Sequence, residues 1–140
     1  MSIFIINTKR TPFTSFLSPN KRNLIDDSVS VVNEVCKNIN KEDIKRAYIG
    51  NVLSAGYGQN VARQITYNSE INCPSFTINN VSGSGMISII EGLKSIQCKE
   101  TDISLCGGVE CMSTSPYLNY DIRKQTKFGN IQLIDSLIND

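Results

Sequence analysis

Ser82 sits in the stretch TINNVSGSGMISIIEGLKSI, residues 77–96, where an extended run breaks at Gly83-Ser84-Gly85 and becomes a helical pattern at once. A side chain held just ahead of a helix sees free backbone N–H groups and the positive end of the helix dipole. That position stabilises an anion or a thiolate. Three chemistries compete for it. A dinucleotide cradle needs G-x-G-x-x-G, but Met86, Ile87 and Ser88 follow Gly85, so the third glycine is absent, and so is a phosphate-loop lysine. A hydrolase elbow needs glycine two residues before the serine, and Asn80 precedes Ser82 there while Ser82 precedes Ser84. The third reading is structural: Ser82 or Ser84 caps the helix and the glycines allow strand and helix to pack closely.

The rest of the composition narrows the chemistry further. The 140 residues contain no histidine, which excludes a self-contained Ser-His-Asp or Cys-His unit. The five cysteines (Cys36, Cys73, Cys98, Cys106 and Cys111) are odd in number and irregular in spacing, against a disulfide framework. Cys106 and Cys111 have no second ligand pair, so no metal site is expected. A net charge of +1, with only short basic clusters such as TKRTP and NKRN, offers no field for nucleic acid. The apolar run at residues 3–6 is shorter than the apolar core of a signal peptide, and no segment approaches the ~18–20 apolar residues of a membrane span. The expected location is the cytoplasm, with a mitochondrion or other organelle as the variant.

The elements that must position Ser82 follow from hydrophobic periodicity. Residues 3–6 read as a short buried strand ended by Pro12, and NLIDDSVSVVNEVCKNI as an amphipathic helix with Asp26 and Asp27 near its positive end. IKRAYIGNVL reads as a second strand, VARQITYNS as a helix capped by Asn60, and SFTINNV as a third strand. A helix over Ser84–Gln97 carries Met86, Ile89, Ile90 and Leu93 on one stripe, and DISLCGG is a fourth strand. Residues 109–130 read as loop and IQLIDSLIND as a short helix. Strands alternating with helices imply βαβ units and a parallel sheet, an α/β fold.

TINNVSGSGMISIIEGL resembles the nucleophile segment of the thiolases, the acetyl-CoA acetyltransferase and 3-ketoacyl-CoA thiolase family, in which a strand runs into V-C-G-S-G and a helix. TKRTPF, YIGNVLSAGYGQNVARQ, CGGVECMSTSPY and GNIQLIDSLIND resemble further family segments in the same order. The resemblance implies the N-terminal half of a duplicated αβαβα layered fold, incomplete in this chain. Residues 1–118 would form the partial α/β domain and 119–140 the start of an inserted loop domain.

The implied activity is condensation of two acetyl-CoA to acetoacetyl-CoA, or the reverse thiolysis, a step of lipid metabolism. Coenzyme A thioester is the substrate, with no covalently bound cofactor, no metal and no cofactor-binding residue in this stretch. No nucleic acid or membrane partner is implied, and a homodimer or homotetramer is. Ser82 matches the acyl-acceptor position. Gly83 and Gly85 shape the turn, Gly107, Gly108 and Met112 line or support the same face, and Gln59, Asn60 and Arg63 match a structural loop near the dimer contact.

Two departures bear on activity. The family's histidine and C-terminal cysteine motifs correspond to positions beyond residue 140. The nucleophile position holds serine rather than cysteine. A thiol ionises near pKa ~8.5, whereas an alcohol lies close to water at about 15.7. A helix terminus supplies at most ~2 kcal/mol, or roughly 1.5 pKa units, which activates a thiol and leaves an alkoxide out of reach. The chain alone is therefore expected to be inactive, its alternative role that of a non-catalytic thiolase-like fragment or interaction subunit.

Overall fold

The computed structural model describes residues 2–18, 23–124 and 128–139. Three parallel strands form the main sheet in the order β2-β1-β3: β1 (Ile44–Gly50), β2 (Ser75–Ile78) and β3 (Ile103–Gly108). Tyr48 pairs with Phe76 on one side and Cys106 on the other, and Gly50 with Ile78 and Gly108, so the three strands end level with one another. The central strand reads as a near-continuous buried run, with Ala47, Tyr48, Ile49 and Gly50 all buried, as expected of a strand covered on both faces.

Helices α1 (Leu24–Val35) and α2 (Val61–Asn68) pack together and cover one face. Leu24, Val32, Val61, Ala62 and Ile65 close there on Ala47 and Ile49, forming the core. Asn23 caps α1 by accepting from the amides of Ile25 and Asp26, and Asp26 and Asp27 occupy its first turn. Asn60 caps α2 as its sequence position suggests, and also donates to Ser75 O at 3.0 Å, tying the helix to β2. Helix α3 (Ser84–Gln97) covers the opposite face. The result is three layers, α1 and α2, sheet, then α3.

Two expected elements differ. Residues 3–6 form no strand: Phe4, Ile5 and Ile6 are exposed, and the chain just after them meets α1 through the Asn7 amide donating to Val35 O at 2.7 Å and through Lys9 beside Glu34. A strand needs a neighbour for its hydrogen bonds, and no described strand lies beside this run. The terminal IQLIDSLIND is not a helix either. Ile134–Asp135 (β5) pairs antiparallel with Tyr117–Leu118 (β4), a pairing within the chain that outcompetes a helix too short to be stable alone. The basic pair Lys21-Arg22 lies outside the described residues.

Candidate functional site

The site forms where the strands end. The chain leaves β2 at Ile78, turns through residues 79–83 and enters α3. The amides of Gly83 and Ser84 donate back to Asn80 O and Val81 O at 3.0 and 3.1 Å. Ser84 is buried, and its hydroxyl donates to Val81 O at 2.6 Å while accepting from the Asn80 amide at 2.9 Å. Ser84 therefore closes the turn. The N-cap is Gly83, which has no side chain to offer, so neither serine caps in the usual sense.

Ser82 is exposed, and its hydroxyl makes no hydrogen bond among the described residues. The residue before it, Val81, has φ 49°, a left-handed backbone that is an outlier for a β-branched side chain. Such strain persists only where the surroundings enforce it, and it concentrates at sites that present a side chain. Here the enforcement comes from the Ser84 hydroxyl on the Val81 carbonyl and from the Asn79 side chain accepting from the Val81 amide at 3.1 Å. Ser82 thus stands free at the positive end of a 14-residue helix.

The glycines divide in role. A Cβ on Gly83 would meet Asn80 Nδ2 at 2.8 Å and Asn80 O at 3.2 Å, so any other residue there requires the Asn80 side chain to move and the turn to give. A Cβ on Gly85 would meet nothing within 4 Å, but one on Gly108 would approach Gly85 Cα at 3.3 Å. Gly108 lets α3 settle on the sheet, and Gly85 faces it. Gly107 faces the other way, toward Ile49, and serves α3 through its carbonyl, which accepts from the buried Ser88 hydroxyl at 2.8 Å. Met112 begins a short 3-10 turn after β3 and is 57% exposed. Asn60 and Arg63 are structural: Asn60 joins α2 to β2, and the Arg63 guanidinium reaches the carbonyls of Ile71 and Cys73 at 3.5 Å and stacks over Tyr67. The Gln59 carbonyl accepts from Gln64 at 2.9 Å.

Three further residues belong to the site's framework. Gly50 ends β1 directly beneath α3: its Cβ would collide with Ser84 C at 2.6 Å and Gly85 N at 2.7 Å. Asn51 is buried and donates to Val109 O and Glu110 Oε1, both at 3.1 Å. Glu110 accepts in addition from the amides of Val52 and Leu53. The signal in the sequence is the Gly-Asn pair closing a strand, a position where glycine marks a close backbone approach.

The cysteines offer no substitute nucleophile at the turn. Cys106 points at Gly92 of α3, and burial pushes its thiol up from the ordinary 9.0 to about 11, against a smaller opposing pull from a hydrogen bond at Gly92. Cys36 and Cys73 are buried and likewise raised, mainly by desolvation. Cys111 is half-buried at the start of the 3-10 turn. Among the described residues no group of three or more Cys, Asp or Glu could hold a metal ion, and no helix is long and apolar enough to cross a membrane.

Comparison with known proteins matches this arrangement. Residues 3–140 match the family model described as thiolase, N-terminal domain. The chain is 36% identical over 145 residues to the mitochondrial acetyl-CoA acetyltransferase of Macaca fascicularis, covering 99% of this chain and 33% of that protein. It is 34% identical over 143 residues to a cytosolic acetyl-CoA acetyltransferase of Gibberella zeae, covering 99% of this chain and 36% of the relative. Among solved structures, a thiolase from Ascaris suum in complex with coenzyme A superposes with a TM-score of 0.77 at 38% identity, over 90% of this chain and 34% of that one. The chain spans about a third of the length of these relatives. With its strand–turn–helix site, its three-layer half-fold and a family match along nearly its whole length, the chain belongs to the thiolase family and corresponds to its N-terminal domain.

Proposed function

We propose that this chain carries the acyl-acceptor corner of a thiolase-type acyltransferase, with Ser82 at the position that receives the acyl group from a coenzyme A thioester. The reaction class is condensation of two acetyl-CoA to acetoacetyl-CoA or its thiolytic reverse. The observation that carries this reading is the strained Val81 presenting an unengaged Ser82 at the start of α3. Gly83 shapes the turn, Gly108 lets the start of α3 at Gly85 settle on the sheet, Gly107 supports α3 through its carbonyl, and Met112 lies on the exposed rim after β3. Residues 119–140 are read as the opening of the inserted loop domain. The complete assembly is a homodimer or homotetramer, in the cytoplasm or an organelle.

The 140 residues themselves transfer no acyl group at a useful rate. With serine at position 82, the attacking atom is an alcohol oxygen that the helix terminus cannot ionise, and no imidazole is present to take its proton. An acyl-serine would also be an oxygen ester, a poor partner for exchange with a thiol. Incubation of the purified chain with acetoacetyl-CoA and coenzyme A, followed by thioester absorbance, is expected to show no cleavage. Turnover by the unmodified chain would overturn this reading. The alternative role, a non-catalytic subunit that pairs with a complete thiolase, draws support from the apolar stripe on α3, where Met86, Ile89, Ile90 and Leu93 are all exposed.

A further inference from the structure

The geometry points to Glu110, acting with Asn51, as a positioning residue that sets where α3 begins and therefore how residue 82 is presented. This rests on the reading of position 82 as the reactive position, and it follows a continuous path of contacts. The Glu110 carboxylate accepts from the Val52 amide at 2.9 Å, the Leu53 amide at 3.3 Å and the Asn51 side chain at 3.1 Å. It thereby clips the segment after β1 to the segment after β3. Asn51 also donates to Val109 O, and the Val109 amide donates to Gly50 O at 2.9 Å. The Asn51 amide donates to Ile78 O at 3.0 Å, so the clip reaches β2, where the chain departs for the turn. Gly50, held from both sides, lies against Ser84 and Gly85 so closely that a single added carbon would collide with them.

A second observation shows that Asn51 is held for this role. It is 2% exposed, and its Oδ1 has no hydrogen-bond partner among the described residues. A buried carbonyl oxygen without a donor is unfavourable, and Asn51 accepts that cost because its side-chain N–H groups are committed to Val109 and Glu110. A residue selected for packing alone would be apolar. The carboxylate, by contrast, is exposed, so its value lies in geometry more than in desolvated charge.

The test places a reporter at the turn. In the Ser82→Cys chain, alkylation of the introduced thiol is followed against pH by peptide-resolved mass spectrometry, with the exposed Cys98 as internal standard. Glu110→Gln and Asn51→Ala are then introduced separately. Removing a negative charge near a thiol would by itself lower its midpoint, whereas loosening the turn from the helix terminus raises it. The midpoint of the thiol at position 82 is expected to rise in both variants. Its alkylation rate relative to Cys98 near neutral pH is expected to fall by about threefold, the scale of coupling carried through packed elements. A midpoint that is unchanged or lowered in either folded variant would overturn the inference, whatever happens to the melting temperature. Should one variant fail to fold, the other is read alone: the first preserves shape, the second preserves charge. Neither measurement uses coenzyme A or turnover, so the inference can fail while the acyltransferase reading stands, and the reverse.

Discussion

If position 82 receives the acyl group as proposed, the difference between sulfur and oxygen decides its chemistry, while the residues around it decide the geometry. Val81 is two-thirds exposed and strained, so Val81→Gly gives up little burial and relieves the backbone. We expect it to raise stability by about 1 kcal/mol, measured by urea denaturation. Gly83→Ala drives a Cβ into Asn80 and should cost about 1–3 kcal/mol, whereas Gly85→Ala meets open space and should be neutral or gain up to ~1 kcal/mol of helix propensity. Equal losses from both glycine variants would contradict this division of roles. The two glycines look interchangeable in the string GSG; only the path of Asn80 tells them apart.

Among the elements, α3 is the informative case. Its limits, Ser84–Gln97, are legible from periodicity and from the glycine turn. Its orientation is not, because the obvious stripe of Met86, Ile89, Ile90 and Leu93 faces away from the sheet, and Ser84, Ser88, Gly92 and Ser95 face it instead. Small residues spaced four, four and three apart allow the helix to lie close: a Cβ on Gly92 would come within 2.2 Å of Cys106 Sγ. The Ser88 and Ser95 hydroxyls donate to the Gly85 and Gly92 carbonyls, and the Ser88 hydroxyl reaches Gly107 O as well. Ser88→Leu is therefore expected to destabilise by about 2–3 kcal/mol through overpacking and a lost bond. The double variant Ile89→Gln, Leu93→Gln should leave the melting midpoint nearly unchanged and reduce self-association in sedimentation velocity. The strand expected at residues 3–6 is absent for another reason: apolarity is local, but a strand exists only where the chain pairs, and this run pairs with neither outer strand of the sheet.

For the whole molecule, the layers explain both what is stable and what is left open. One face of the sheet is sealed by α1 and α2 over a continuous core, and the other carries α3 with its apolar stripe outward, which fits the outer half of a layered αβαβα fold. Alkaline pH probes the thiols between the layers on both faces of the sheet. Burial raises the thiol pKa values of Cys36, Cys73 and Cys106, the last to about 11. A raised thiol keeps its proton longer in the folded chain than in the unfolded one, so the contribution of Cys106 is complete below pH 9 and is lost as pH climbs toward 11. Denaturation midpoints should fall across that interval, and Cys106→Ala should flatten the slope. The half-fold is legible because strand and helix periods are written locally; the clip of Asn51 and Glu110 is not, since its partners are 59 residues apart in the chain.

Restoring sulfur at position 82 tests the proposal that the turn holds this residue where an acyl group is received. The Ser82→Cys chain and the unmodified chain are incubated with acetyl-CoA, and the acetylated peptide is located by mass spectrometry. The thiolate introduced at position 82 attacks the thioester carbonyl, the bond to coenzyme A sulfur breaks, and coenzyme A leaves as the thiolate. The expected result is an acetyl group on residue 82 of the variant ahead of the exposed Cys98, and none on Ser82 in the unmodified chain. Acetylation of Cys98 in preference to the thiol at position 82 would contradict the claim.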